Sequence, residues 1–516
     1  MGEFDCDVAV IGAGIGGLAS ALSLAAAGLR VTVFEQHDAV GGKMAQAIVD
    51  GLAIDCGPTV LTMRGVFDEL FEAAGTRLDD HVQLRSHDLL ARHAWSAGTR
   101  LDLFTDIDRS AAAIEAFAGA RDAAGYRRFC KHGDALLERL DRPFMRVPNE
   151  GLLALTRRVG MTGMLELSRV DWQRTLWTAL GDFFEDPRLR QLFARYATYY
   201  GSSPFEAPGT LSLIAEVERR GVWSLEGGMI SLARAIAALI EAKGGTIALG
   251  RGVAEVRCVR GRVHELVLDD GTALRTSAAI YNGEPARLAS GALGADMRRA
   301  VSVSSAPPSL SAMTWSIVGH ARGFPLAYHN VFFGDDYRTE FDALFRQRVT
   351  PVDPTVYVCA PDRREGDPGG RERLFCLTNA PADPRVGDDA EPTCRARMEQ
   401  RLRACGLDIE IEAMEFGSPS RFAARFPGTA GALYGSATHG AMAPWRRHRS
   451  RTHIPNLWLV GGAVHPGAGV PMVAQGGMIA AQQLLAAQPS MRTSATAGTA
   501  GGTSTGSTRN AAARSR

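Results

Sequence analysis

The sequence predicts an α/β protein of two domains, one built on a parallel sheet and one of mixed α+β character. Three observations carry that reading. Val8–Glu35, VAVIGAGIGGLASALSLAAAGLRVTVFE, runs strand, glycine turn, helix, strand. Asn456–Leu485 gives strand, glycine turn and helix again near the other end. Between them lie a largely helical stretch and a series of short strand-like runs separated by polar loops. A chain of 516 residues can bury more than one hydrophobic core.

The first unit is Rossmann-like. Val8–Ile11 is an apolar, β-branched run, and Gly12, Gly14 and Gly17 fill the G-x-G-x-x-G spacing, with Ile15 and Gly16 between them. Gly12 permits the turn, Gly14 lets a pyrophosphate approach the backbone, and Gly17 lets helix and strand pack closely. Leu18–Ala27 is a helix ended by Gly28, and its free N–H groups suit phosphate oxygens. Val31–Phe34 is the second strand. Glu35 follows it, where an acid accepts hydrogen bonds from ribose hydroxyls. The alternative is a glycine-rich core turn of a doubly wound sheet with no ligand.

Composition bounds the function. Fifty-seven Lys and Arg against 56 Asp and Glu leave a net charge of +1, which argues against a general nucleic-acid binder. The eight cysteines include no C-x-x-C pair, so buried thiols in a reducing compartment are expected, with no metal site. Acids at Glu3, Asp5 and Asp7 lead straight into the first strand, which predicts no secretory leader. Val8–Leu29 is apolar enough to suggest a membrane span, but its glycines fit the nucleotide motif better. No Asp or Glu follows Glu415, while Trp445 adjoins the basic run Arg446–Arg451. That cluster reads equally as a solvated loop or as a contact with an anionic membrane surface.

From Val66 to Trp223 the pattern is mostly helical with few strand signals. Phe67–Ala74 is amphipathic. Leu152–Leu180 is rich in Leu, Met and Trp interleaved with arginines, and suits either a core or a membrane interface. A helix starts at Asp186-Pro187 and runs to Tyr199-Tyr200-Gly201. Leu232–Ala242 is helical, followed by strands Thr246–Leu249 and Val253–Val259, a turn at Gly261-Arg262, and Val263–Leu268. Ala278–Asn282, Thr314–His320, Asn330–Phe333, Val356–Cys359 and Leu374–Thr378 are further strands. The last four suit an antiparallel sheet covered by the helix Thr393–Cys405. Cys56 beside the Gly57-Pro58 loop is read as a buried thiol. Residues 489–516 are low-complexity and predicted disordered.

In order, the glycine motif, Glu35, Gly41-Gly42-Lys43 and Asp55-Cys56-Gly57-Pro58-Thr59 resemble the flavoprotein branch of bacterial-type phytoene and carotenoid desaturases. That branch also includes amine oxidases. The run "DPRLRQLFARYATYYGSSP" is similar to the desaturase substrate lobe. His465-Pro466-Gly467-Ala468-Gly469-Val470-Pro471-Met472, after Gly461-Gly462, is similar to the carotenoid desaturase C-terminal signature. The resemblance runs to about residue 488 and implies a two-domain flavoprotein with noncovalent FAD. Residues 1–90, 220–292 and 420–488 would form the FAD domain, and 91–219 and 293–419 the substrate and membrane-facing domain.

By resemblance, FAD would contact Gly12, Gly14, Ile15, Gly16, Gly17, Glu35, Gly41, Gly42, Lys43, Gly57, Pro58 and Thr59, with Lys43 near phosphate. The backbone of Val253 would hold adenine. Gly461, Gly462, His465, Gly467, Gly469, Val470, Pro471 and Met472 would lie beside the flavin ring and ribityl chain. The helix N-terminus near Val473 would offer N–H groups to flavin carbonyls. His465 is open to a catalytic or a structural role.

The implied activity is desaturation of a long polyene. Phytoene desaturases usually read HPGAG-L-P-G where this chain has V-P-M, which resembles the hydroxycarotenoid 3,4-desaturases (methoxyneurosporene dehydrogenases). Met472 would then place a thioether beside the flavin. The expected substrate is a 1-hydroxy or 1-methoxy carotenoid, the expected acceptor quinone or oxygen, and the expected location the cytoplasmic face of a membrane. The chemistry requires no strong base, so no catalytic residue is assigned. The alternatives are a phytoene desaturase, an amine-oxidase-like enzyme on a small soluble substrate, and a non-enzymatic lipid carrier of the GDI type.

Overall fold

Cys6–Ile11 alternates its side chains between two apolar layers and forms the central strand of a seven-stranded sheet. It pairs in parallel with Val31–Phe34 on one side and Ala273–Tyr281 on the other. Thr246–Ala248 and Leu457–Leu459 extend the parallel sheet at its two flanks. The hairpin Val253–Val259 and Arg262–Leu268 joins the lower part of Ala273–Tyr281 antiparallel. The computed structural model describes residues 4–149, 151, 156–158, 160, 170–366 and 368–487. The tail 489–516 lies outside these residues, as does most of Leu152–Leu180 up to residue 169.

Helices cover the Val8 and Val10 face of this sheet. Ile15–Ala26, Ile230–Ala242 and Val470–Ala487 pack Leu18, Leu22, Ile236 and Leu484 into one core with Phe67. The first helix begins at Ile15, three residues before its predicted start, and Gly28 (φ 85°) ends it. Its contact with Val470–Ala487 is close: a Cβ at Gly477 would sit 2.4 Å from the Gly16 carbonyl oxygen.

The second seven-stranded sheet is ordered Asp408–Gly417, Ser311–Arg322, Glu372–Ala380, Val356–Cys359, His329–Phe332, Leu89–Ala94 and Arg100–Phe104. It is antiparallel except where His329–Phe332 meets Leu89–Ala94. The helix Glu391–Ala404 packs Met398 and Leu402 on one face, with Phe332, Val356 and Val358. An aromatic helical lobe with Phe129, Phe184 and Phe193 packs on the other, with Val331 and Phe333.

Two expectations are corrected. The stretch after Val66 contains three strands, Leu84–His87, Leu89–Ala94 and Arg100–Phe104, where a helical pattern was expected. Their polar and charged residues weaken the alternation, and pairing with distant strands overrides local pattern. The hairpin turn predicted at Gly261-Arg262 sits one residue earlier. Arg260 (φ 51°) and Gly261 (φ 76°) supply the two left-handed residues that a tight hairpin needs.

Candidate active site

The glycine turn after Cys6–Ile11 is pressed against the end of Ala273–Tyr281. Asn282 donates from its backbone N to the Ile11 carbonyl at 2.8 Å and from Nδ2 to the Gly12 carbonyl at 3.2 Å. A Cβ at Gly14 would meet Asn282 Nδ2 at 2.7 Å, and one at Gly17 would meet the Gly12 carbonyl oxygen at 2.1 Å. Gly16 lies against Asn282, Val473 and Gly461, so both glycine turns converge at one end of the sheet. Asn282 was named in the sequence only as a strand end; nothing in its local pattern marks its contact with a turn 270 residues away.

Glu35 is buried, and both carboxylate oxygens are engaged. Oε2 accepts the Ala13 N–H at 2.7 Å and Oε1 accepts the His37 N–H at 3.0 Å. A carboxylate has about four acceptor positions, so this fixes its orientation and leaves lone pairs for ribose hydroxyls. Arg251 donates its backbone N–H to the Glu35 carbonyl, and Gly250 donates to that of His37. Val253 follows at the edge of this segment, buried and paired with Leu268. The backbone expected to hold adenine therefore lies close to Glu35, the acid expected at the ribose.

Gly41 (φ 110°) and Gly42 (φ 59°) bring a second loop onto the first, where a Cβ at Gly42 would lie 3.2 Å from Gly14 Cα. Gly57 abuts the Lys43 carbonyl and leads through Pro58 to Thr59. Lys43, expected near phosphate, instead donates to the Leu433 carbonyl at 2.6 Å and lies over the Phe422 ring at 5.2 Å. The residue as a whole is exposed. The surrounding protein still depresses its pKa by desolvation, with Glu284 opposing. Cys56 is half-buried, donates to the Ala45 carbonyl, and is pushed up to about 11 by burial, in keeping with an inert thiol.

The C-terminal turn is held from beneath by Arg447. This side chain was expected on a solvent- or membrane-facing loop but is buried. It donates to the Gly462 carbonyl at 2.8 Å and the Thr438 hydroxyl at 3.3 Å, and lies over the Tyr200 ring. Desolvation lowers its pKa, with Tyr200 and Glu284 opposing. Gly461 (φ 122°), Gly467 (φ 139°) and Gly469 (φ 101°) hold the turn. Gly467 packs on Tyr200, while no heavy atom lies within 4 Å of a Cβ placed at Gly469.

His465 precedes a cis proline and directs Nε2 at the carbonyls of Phe144 and Val147, both at 3.0 Å. Donation to two carbonyls anchors the segment beneath the turn. Burial holds its pKa down at about 4. Val470 and Pro471 open the helix Val470–Ala487, and Met472 is buried with Leu136, Leu140 and Met145. Its thioether, expected beside the flavin, packs against the helical lobe.

Four tyrosines stand near the glycine turns and the second sheet. Tyr199, Tyr200, Tyr357 and Tyr434 are half-buried, yet desolvation raises all four phenol pKa values. Thr59 joins the loop of the first sheet to the second through a 2.7 Å hydrogen bond with Tyr357. No group of His, Cys, Asp and Glu among the described residues could hold a metal ion.

The turns fit a dinucleotide. Packing leaves no room for a side chain at Gly14, Gly17, Gly41 and Gly57, the acid is oriented, and the space at Gly469 is open. Comparison with known proteins agrees. The flavin containing amine oxidoreductase family matches residues 15–485. The hydroxyneurosporene desaturase of Rubrivivax gelatinosus is 45% identical over 489 residues, 93% of each chain. That of Cereibacter sphaeroides is 44% identical over 488 residues, 93% of this chain and 97% of the relative. An oxidoreductase from Methanosarcina mazei (TM-score 0.58, 18% identity) covers 92% of this chain and 99% of its own. Putrescine oxidase (TM-score 0.58, 15% identity) covers 94% and 99% and, at this identity, shares the fold. Because the family match runs over residues 15–485, nearly the whole of the described fold, this chain belongs to the flavin containing amine oxidoreductase family, and its cofactor is FAD.

Proposed function

We propose that the protein is an FAD-dependent carotenoid desaturase that forms the C3–C4 double bond of a 1-hydroxy or 1-methoxy carotenoid. The observation that carries this is the likeness, over nearly the whole of both chains, to proteins named hydroxyneurosporene desaturase. The half-buried tyrosines Tyr199, Tyr200 and Tyr357 and the aromatic lobe they pack against support it, since such a wall suits a long apolar molecule. We read residues 1–90, 220–292 and 420–488 as the FAD domain and 91–219 and 293–419 as the substrate domain.

When bound, FAD supplies the acceptor for a hydride removed from carbon. The protein positions the substrate and excludes water. Glu35 and the Gly12–Gly17 turn anchor one end of the cofactor. The Gly461–Gly469 turn, held by Arg447 and His465, shapes the other. A positive charge beside a polyene is delocalised, so the proton on the neighbouring carbon is acidic and no strong base is needed. His465 is neutral above about pH 5.

Surface attachment to a membrane belongs to the same proposal, on its cytoplasmic face. No helix among the described residues is long and apolar enough to cross a bilayer. Met442, 51% exposed, and the exposed Arg446, Arg449 and Arg451 flank Trp445 in the sequence, and Trp445 packs on Phe144 at 5.0 Å. Such a patch is suited to an anionic surface, where its binding falls with salt. Reoxidation then uses a membrane quinone or oxygen.

The test is expression in one host that makes 1-hydroxyneurosporene and another that makes only phytoene, with pigments read by absorbance. A red shift in the first alone is expected. Conversion of phytoene to coloured products overturns the assignment.

A further inference from the structure

Four buried side chains between the helical lobe and the second sheet carry polar atoms with no hydrogen-bond partner among the described residues. These are Nε and Nη2 of Arg195, Nε2 of His93, Nε2 of His329 and the Tyr337 hydroxyl. Nη2 of Arg195 stands 3.8 Å from Glu218, too far for a hydrogen bond. The groups border one core: His93 stacks on Phe333 at 6.1 Å, Phe333 meets the Tyr337 ring edge-on at 6.3 Å, and Arg195 lies between Ala194 and Tyr196, which pack in the same core as Val331, Phe333 and Tyr337. Each buried unsatisfied group costs about 1–3 kcal/mol, so five such atoms in one place call for a ligand or ordered water.

Strand register fixes the direction of this cluster. Val331 is opposite Tyr357 on one side and His93 on the other, and His329 lies two residues from Val331. His93, His329 and Tyr357 therefore share the sheet face that meets the helical lobe. The Tyr357 hydroxyl is 2.7 Å from Thr59 and 2.7 Å from Nδ1 of His329, so a polar chain starts at the cofactor loop and enters this face. From the helical side, Arg195 donates to the Tyr199 hydroxyl at 3.2 Å, Tyr199 donates to Glu218 at 2.7 Å, and Tyr199 is half-buried. Around them the lobe is apolar, with Val331, Phe333 and Phe341.

We propose that Arg195, Tyr199 and His329 form the pocket that receives the oxygen on the terminal carbon of the substrate. The inference rests on the proposed substrate, a carotenoid oxygenated at C1. The C3–C4 bond begins two bonds from C1, so the oxygen has to lie close to the cofactor, where the chain from Thr59 begins. The chemistry matches. If Tyr357 donates to Thr59, Nδ1 of His329 donates to Tyr357 and Nε2 is left as an acceptor. A hydroxyl then donates to His329 and accepts from Arg195; a methoxy oxygen accepts from Arg195 only; a hydrocarbon terminus satisfies neither.

The test uses FAD-loaded protein with 1-hydroxyneurosporene and with neurosporene, which has a C1=C2 double bond in place of the hydroxyl. Affinity and kcat/KM are measured for both, with Tm and flavin content as checks on folding. Wild type is expected to prefer the hydroxylated substrate. Tyr199→Phe keeps the ring, and Arg195→Lys keeps the charge facing Glu218 but loses the planar donor fork. Either should cut the preference about ten- to a hundredfold, chiefly through KM and affinity. If both variants fold, hold flavin and keep the wild-type preference, the cluster holds only buried water; the inference fails and the proposed function stands. If wild type does not turn over 1-hydroxyneurosporene, or shows no preference, the substrate reading fails and the inference with it.

Discussion

Glu35 reaches back across its own βαβ unit to accept the backbone N–H of Ala13 at 2.7 Å, inside the glycine turn that it follows. The acid that we propose holds the ribose thus also shapes the glycine turn. Glu35→Gln keeps the size of the side chain but removes the charge and one acceptor. FAD affinity should fall about ten- to a hundredfold, as expected for a charge-assisted hydrogen bond lost in a buried site. Flavin titration of the apoprotein measures this, and an unchanged Kd would contradict the assigned role.

Gly17 has no room for a methyl group. A Cβ there would lie 2.1 Å from the Gly12 carbonyl oxygen, a backbone atom that cannot rotate away. Gly17→Ala should therefore lower Tm and release flavin together, by at least about 2 kcal/mol of overpacking. Gly14→Val meets the Asn282 side chain, so it should lose flavin with a smaller change in the Tm of the apoprotein. Equal flavin content in both variants and wild type would refute this packing.

His465 resists protonation, with a pKa of about 4 against an ordinary value of 6.5 because of burial. Between those values the unfolded chain takes up a proton that the folded chain refuses. Stability therefore rises with pH across this window and is lost as pH falls from about 6.5 toward 4. The contribution of this residue is on the order of 3 kcal/mol. His465→Gln retains a donor for the Phe144 and Val147 carbonyls without titrating. Its Tm should depend less steeply on pH over that window than wild type, although His93 and His329, also held well below their ordinary range by burial, keep part of the slope.

Arg363 and Glu372 form a buried ion pair, with bonds of 2.7 and 2.6 Å and side chains 5% and 0% exposed. Removing one partner strands the other charge. Glu372→Gln should cost about 3–5 kcal/mol, while replacing both residues with apolar ones of similar volume should cost far less. Urea unfolding of the single and double variants separates these outcomes.

The first sheet was legible because its signals are local. Glycine spacing, apolar runs of four to six residues and a terminal acid each report on a few neighbouring positions, and they predicted strands from Val8 to Leu459 in place. What escaped was long-range. Asn282 carries no motif, yet it braces Gly12 and Gly14 across 270 residues. Arg447 sits in a basic run that reads as solvated, and only the fold turns it toward Gly462. Lys43 follows a glycine pair as expected, but its ammonium is claimed by a carbonyl 390 residues away. The strands Leu84–Phe104 acquire their identity from partners at 222–225 and 329–332. The polar chain through Thr59, Tyr357 and His329 crosses between sheets, which no sequence window contains.

The placement of Cys6–Ile11 at the centre of its sheet sets a timetable for synthesis. One neighbour, Val31–Phe34, emerges at once, but the other pairs Val8 with Ala278, and the strand that completes that flank starts only at Leu457. At roughly 5–20 residues per second, the central strand waits about 15–50 s on the ribosome for its second partner. During that interval its open edge is a template for aggregation. Overproduction should therefore yield more active protein when translation is slowed or holdase chaperones are abundant. Added flavin should help only after the last strand has left the exit tunnel.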